Sequence, residues 1–152
     1  MIAAKGVGIL PTKKLLVTNR TGGALVVGGY YAVDVTGGAT ESTSADTNLT
    51  NLVAAATANL RGIGVIATEA AADDADTVVT LTGRVSALVD GTTDVVEGDR
   101  LIAQNASPNL IKQAGLFPGV GFALEAQATN AGTLTDIFFD GWGLWKSELA
   151  AS

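Results

Sequence analysis

The residues of this chain best suited by type and spacing to chemistry are two groups of carboxylates. Asp73, Asp74 and Asp76 lie together in AADDADT, a spacing that offers oxygen ligands to a hard cation such as calcium. The stretch lacks the turn glycine and the bidentate glutamate of an EF-hand loop, so a solvated acidic loop is the better reading. Asp90, Asp94, Glu97 and Asp99 spread over two turns, where an aspartate caps its own backbone, and turn chemistry accounts for them. The 152-residue chain contains no histidine and no cysteine. It therefore lacks the usual base near neutral pH, the thiolate nucleophile and the commonest metal ligand. Serine–histidine and cysteine–histidine mechanisms are excluded, and a carboxylate pair remains only a formal possibility. The expectation is a protein that is not an enzyme, with no catalytic residue, cofactor or metal.

Two glycine pairs could open phosphate loops, Gly62-Ile63-Gly64 and Gly119-Val120-Gly121. Neither is followed by Lys and Ser or Thr, nor by a clear helix, so both read as strand starts where backbones approach closely. Nine basic residues against fifteen acidic ones give a net charge of −6, and the one basic doublet is Lys13-Lys14 between Lys5 and Arg20. Phosphate recognition needs clustered cations, so nucleic acid is not an expected partner. No apolar run reaches the roughly 18 residues of a spanning helix, so no membrane partner is expected either.

The elements that must position these residues are β-strands. Short β-prone runs separated by Gly, Asp, Asn and Thr clusters predict an all-β fold, a small antiparallel β-barrel or β-sandwich over residues 19–140. Ala24–Val35 reads as a bent strand or two strands around Gly28-Gly29, and Thr36–Thr50 as a polar surface loop. Alanine-rich Asn51–Asn59 is ambiguous, its alanines favouring a helical turn and its length suiting a strand, and a short helical turn or irregular connection is the preferred reading. Ile63–Ala67 reads as a strand, Glu69–Asp76 as an acidic loop, and Thr77–Asp90 as a long strand bent at Gly83. Further strands are expected at Arg100–Gln104, Asn109–Gln113, Val120–Gln127 and Thr133–Phe139. Period-two alternation places Val120, Phe122, Leu124 and Ala126 on one face, while the last strand alternates less cleanly, with both faces partly buried.

The ends differ from this grid. Residues 1–18 are apolar but carry Gly6, Gly8 and Pro11, which suits an extended arm or edge strand. Residues 141–152 form a short C-terminal tail that holds both tryptophans of the chain. Tryptophan buries a large apolar body and gives its indole N–H to a partner, so such tails dock. The candidate protein–protein interface is therefore Ile2, Val7, Ile9 and Leu10 in the arm, with Trp142, Leu144 and Trp145 in the tail.

Five segments in succession carry a family resemblance. They are Asn19-Arg20-Thr21-Gly22; Gly62 to Ala67; Gly83-Arg84-Val85; Glu97-Gly98-Asp99-Arg100-Leu101; and Val120 to Glu125 ahead of Gly132 and a final strand. Their order resembles that of the capsid decoration, or cement, proteins of tailed bacteriophages, over about Thr18 to Asp140. The resemblance implies a small β-barrel that trimerises and binds the major capsid protein on the outer surface of the assembled virion, after assembly in the host cytoplasm. The termini match nothing in that pattern. A second reading is a carrier or ligand-binding barrel, because Val95–Leu101 (VVEGDRL) looks like a strand-opening turn of barrel-sandwich domains. Those carriers present a modifiable lysine in a hairpin, and none of Lys112, Lys146 or the N-terminal lysines sits in such a context.

Overall fold

The computed structural model describes residues 12–34, 50–54, 63–104, 107–114 and 119–141, and these form β-strands with no helix among them. In chain order the strands are β1 Lys13–Asn19, β2 Tyr30–Asp34, β3 Thr50–Ala54, β4 Ile63–Ala67 and β5 Asp76–Asp90. They continue with β6 Arg100–Ala103, β7 Leu110–Lys112, β8 Gly121–Ala123 and β9 Thr133–Asp140.

The long strand β5 organises the rest. Its Val- and Thr-rich alternation turns Thr77, Val79 and Leu81 inward in its first half and Ala87 and Val89 inward in its second. Along one edge it pairs with β1 and then, in parallel, with β7; along the other it pairs with β4 and then β9. The strands therefore close two circuits of five, β1-β3-β2-β4-β5 and β5-β7-β6-β8-β9, which share β5. Closure leaves these strands few open edges, which is how a small all-β protein avoids unwanted pairing. Gly83 stands where the circuits meet, with φ +123°, a conformation strained for any L side chain. A Cβ there would also lie 3.0 Å from Thr12 Cα.

Each circuit has its own core. Val17, Leu25, Tyr31, Val33, Val65, Ala67, Ala71 and Val79 fill the first barrel. The second holds Ala87, Val89, Val95, Leu101, Leu110, Val120, Ala123, Ile137 and Phe139, and it also receives Tyr30 and Ile66. These two are cross-strand partners on β2 and β4, one residue out of phase with the inward pair Tyr31 and Val65. The β2–β4 ribbon is thus a wall with one face in each core, and the Tyr30 ring meets Phe139 edge-on at 6.0 Å.

The all-β barrel expectation agrees with this architecture, while several local readings need correction. Of the described residues 24–34, only Tyr30–Asp34 is strand: Leu25 is buried and donates through its N to Ala71 O at 2.9 Å, and Gly28 turns the chain at φ +82°. Asn51–Asn59 is not helical at its start, because Thr50–Ala54 is a strand held between β1 and β2. Lys13–Thr18, read as part of the arm, lies inside the barrel, with Val17 buried and Leu16 facing out. The shared face for Val120, Phe122, Leu124 and Ala126 is wrong. Val120 and Ala123 are buried while Phe122 faces out, because β8 begins only at Gly121 and Val120 lies before the strand, outside its alternation. The last strand alternates more cleanly than expected, burying Thr135, Ile137 and Phe139. Residues 35–49, most of the polar loop, lie outside the described residues.

Candidate interaction surfaces

The segment Asn19-Arg20-Thr21-Gly22 is a structural hub. Buried Asn19 donates through Nδ2 to the carbonyls of Gly23, Ala71 and Ala72 at 2.8–3.0 Å, and its Oδ1 accepts from Thr21 N and Oγ1. One side chain thereby ties the end of β1 to the acidic loop before β5.

That loop spends its carboxylates on the chain itself. Asp73 accepts from Gly22 N at 3.0 Å, Asp74 pairs with Arg20, and Asp76 accepts from Thr18 Oγ1 at 2.9 Å. Glu69 accepts from Thr77 Oγ1 at 2.8 Å, which holds its carboxyl below the usual carboxylate range. In the second group, Asp90 caps Thr92 through its N and Oγ1 and is likewise lowered. Asp99 is lowered by Lys112 Nζ at 2.7 Å and also accepts from Val96 N at 2.8 Å, closing the turn at Gly98. For Asp90 and Asp99 the turn reading holds. No group of three acidic residues converges on a cation position among the described residues.

The described glycines of the two pairs, Gly64, Gly119 and Gly121, act by close approach. A Cβ on Gly119 would strike the Leu101 carbonyl, one on Gly121 the Phe138 carbonyl, and one on Gly64 the Tyr30 phenol. Tyr30 is fully buried with no hydrogen-bond partner for its hydroxyl among the described residues, and burial pushes its pKa upward. Of the lysines that the carrier reading would need, the described ones are not in hairpin tips: Lys13 and Lys14 begin β1, and Lys112 ends β7 in its ion pair with Asp99; Lys5 and Lys146 lie outside the described residues.

One surface feature escaped the sequence reading. On the outside of the second barrel, register aligns Arg84, Phe138, Phe122 and Arg100 in one row across β5, β9, β8 and β6. The two phenylalanine rings stack at 5.3 Å and 22°, and Phe122 remains 40% exposed. Arg84 is held by Asp136, its next outward neighbour on β9. Two rows further along, Leu134 and Leu88 face each other across the same pair of strands. The available signal was the pairing of Phe138 with Phe122, which alternation within one strand cannot supply.

All seven interface candidates read from the sequence, Ile2, Val7, Ile9, Leu10, Trp142, Leu144 and Trp145, lie outside the described residues. The described chain nevertheless fixes where both ends begin. Lys13 and Asp140 pair with the same residue, Thr82, from opposite edges of β5. Beyond them, Gly141 donates to Leu81 O at 2.9 Å and accepts from Gly64 N at 3.1 Å, so it is wedged between β4 and β5.

This fold has a solved counterpart. The crystal structure of the head fiber gp8.5 N base in bacteriophage phi29 matches with a TM-score of 0.56, covering 86% of this chain and 95% of that one. The sequence identity is 14%, so the likeness is one of fold. No family model and no curated protein matches the sequence.

Proposed function

We propose that this chain is a structural protein of a tailed-phage virion that binds the outer surface of the assembled capsid and stabilises it. The observation that carries the reading is the fold shared with a phage head-fiber base, which extends over nearly the whole of both chains. The decoration-protein resemblance supports it from a separate direction, because its segments are the parts that build this fold. Asn19–Gly22 is the polar hub, Gly83 is the junction, and Glu97–Leu101 is the turn closed by Asp99. The role is structural and not catalytic: the carboxylates of the acidic loop are engaged by hydroxyl, amide and guanidinium groups of the same chain.

The mechanism is linkage. A protein that binds the assembled shell and not its dissociated subunits stabilises the shell by its binding free energy, and many copies sum modest contributions. Its partner is the major capsid protein, and a trimer would present three copies of each contact at once. The test is co-sedimentation of the purified protein with assembled shells of the phage that encodes it, beside dissociated capsid subunits. Saturable binding to shells, weak binding to subunits and a higher shell disruption temperature are expected. Equal binding to both, or to neither, contradicts the reading.

A further inference from the structure

The outer face of the second barrel over β5 and β9 presents three cross-strand rows: Arg84 with Phe138, Ser86 with Asp136, and Leu88 with Leu134. Alternation sends all six side chains outward, since Ala87, Val89, Thr135, Ile137 and Phe139 between them are buried. Leu134 remains 51% exposed, and Phe122 on β8 extends the first row beyond Phe138. The two leucines rest on the backbone of Gly28, where a Cβ would strike Leu134 and lie 3.4 Å from Leu88 Cγ. Their inner sides are thereby supported, and their outer sides face solvent.

Each row contains the complement of its own members. An arginine stands opposite an aromatic ring, a hydroxyl opposite a carboxylate, and a leucine opposite a leucine. A two-fold axis lying in a plane of contact and running between β5 and β9 turns β5 of one copy over β9 of another. Arg84 then covers the partner's Phe138, Ser86 donates to the partner's Asp136, and Leu88 meets the partner's Leu134. Every contact is made twice, which is the self-complementarity that an isologous pair requires. Two sheets meeting this way stand about 10 Å apart, the ordinary spacing of a sandwich.

Charge points to the same occupant. The chain carries −6, yet these six side chains bring one cation and one anion, joined where Arg84 Nε donates to Asp136 Oδ2 at 2.9 Å. Two such faces meet without net repulsion, and a strongly acidic or basic partner finds no excess of opposite charge here.

We propose that this chain pairs with a second copy of itself through the outer β5–β9 face, row against row across a two-fold axis. The pairing does not depend on capsid binding.

Native mass spectrometry and sedimentation velocity of the full chain test it, with two copies expected for wild type at micromolar concentrations. Leu134→Glu sets a carboxylate over the partner's Leu88, and Leu88→Lys sets an ammonium over the partner's Leu134. Each variant alone should raise the Kd of the pair about a hundredfold or more, because an unmatched charge is buried twice. Mixed, the two variants should form a heterodimer, since one contact then joins ammonium to carboxylate while the other keeps leucine on leucine. Leu134→Glu changes a half-exposed side chain and should still unfold cooperatively on heating. A monomeric or trimeric wild type, or a Leu134→Glu variant that stays paired, overturns the proposal. A mixture that stays monomeric overturns the row-against-row register. Shell binding is tested separately by co-sedimentation, so that reading stands or falls on its own.

Discussion

The first barrel holds its loops with polar side chains, whereas the second is held mainly by the shape of its core. In the first, Asn19 bridges three carbonyls and Thr77 is buried in phase with Val79. In the second, strands of three and four residues wrap around Phe139, Ile137, Leu101 and Leu110, with Gln127 and Thr135 as the buried polar pair. The wall between them belongs to both, since β2 and β4 turn alternate residues into each core. Directional bonds fix the loops of one barrel, and packing against a borrowed face fixes the other, so substitutions should act differently in the two halves while the molecule unfolds as one.

Phe139→Ala tests that coupling with the largest effect. It removes the ring that meets Tyr30 and should lower stability by about 4 kcal/mol in a single denaturation transition. Two separate transitions would mean that each barrel is stable alone. Gly83→Val strains the shared strand itself, through its φ of +123° and the neighbouring Thr12, and should cost about 3 kcal/mol by urea denaturation.

Gly83 also shows what sequence could reveal. A glycine inside a Val- and Thr-rich run announces a bend, and the bend is there. Strand β3 was hidden because its alanine-rich surroundings have no strand preference of their own; the open edges of β1 and β2 make it a strand. The outward turn of Phe122 was hidden because β8 is only three residues long and Gly121 presses against the Phe138 carbonyl. Periodicity needs more residues than that. The polar hub at Asn19 was legible as a motif, while its partners at Ala71 and Ala72 lie more than fifty positions away. The row of arginines and phenylalanines could be found only from register.

Asn19→Ala removes the polar hub of the first barrel. Three carbonyls lose their donor, and stability should fall by about 2 kcal/mol, with amide exchange rising first at residues 19–23 and 71–76. Tyr30→Phe probes the wall from the other side. Its hydroxyl is buried without a partner among the described residues, so its removal should leave the thermal midpoint unchanged or raise stability by up to about 1 kcal/mol. A marked loss would mean that the hydroxyl has a bonding role.

The smallest effect concerns acid. Lys112 lowers the Asp99 carboxyl in the folded state, so this pair contributes above the unfolded carboxylate value of about 4 and is lost as pH falls through the lower folded value. Asp99 is at the surface, and solvent screens the pair. Thermal midpoints followed from pH 5 down to about 2 should show a slightly shallower decline for Asp99→Asn than for wild type.

Cryo-electron microscopy of assembled shells, with and without the added protein, tests the central claim most directly. New density of double-barrel shape is expected at symmetry-related positions on the outer surface. Shells whose outer surface is unchanged at saturating protein would contradict it.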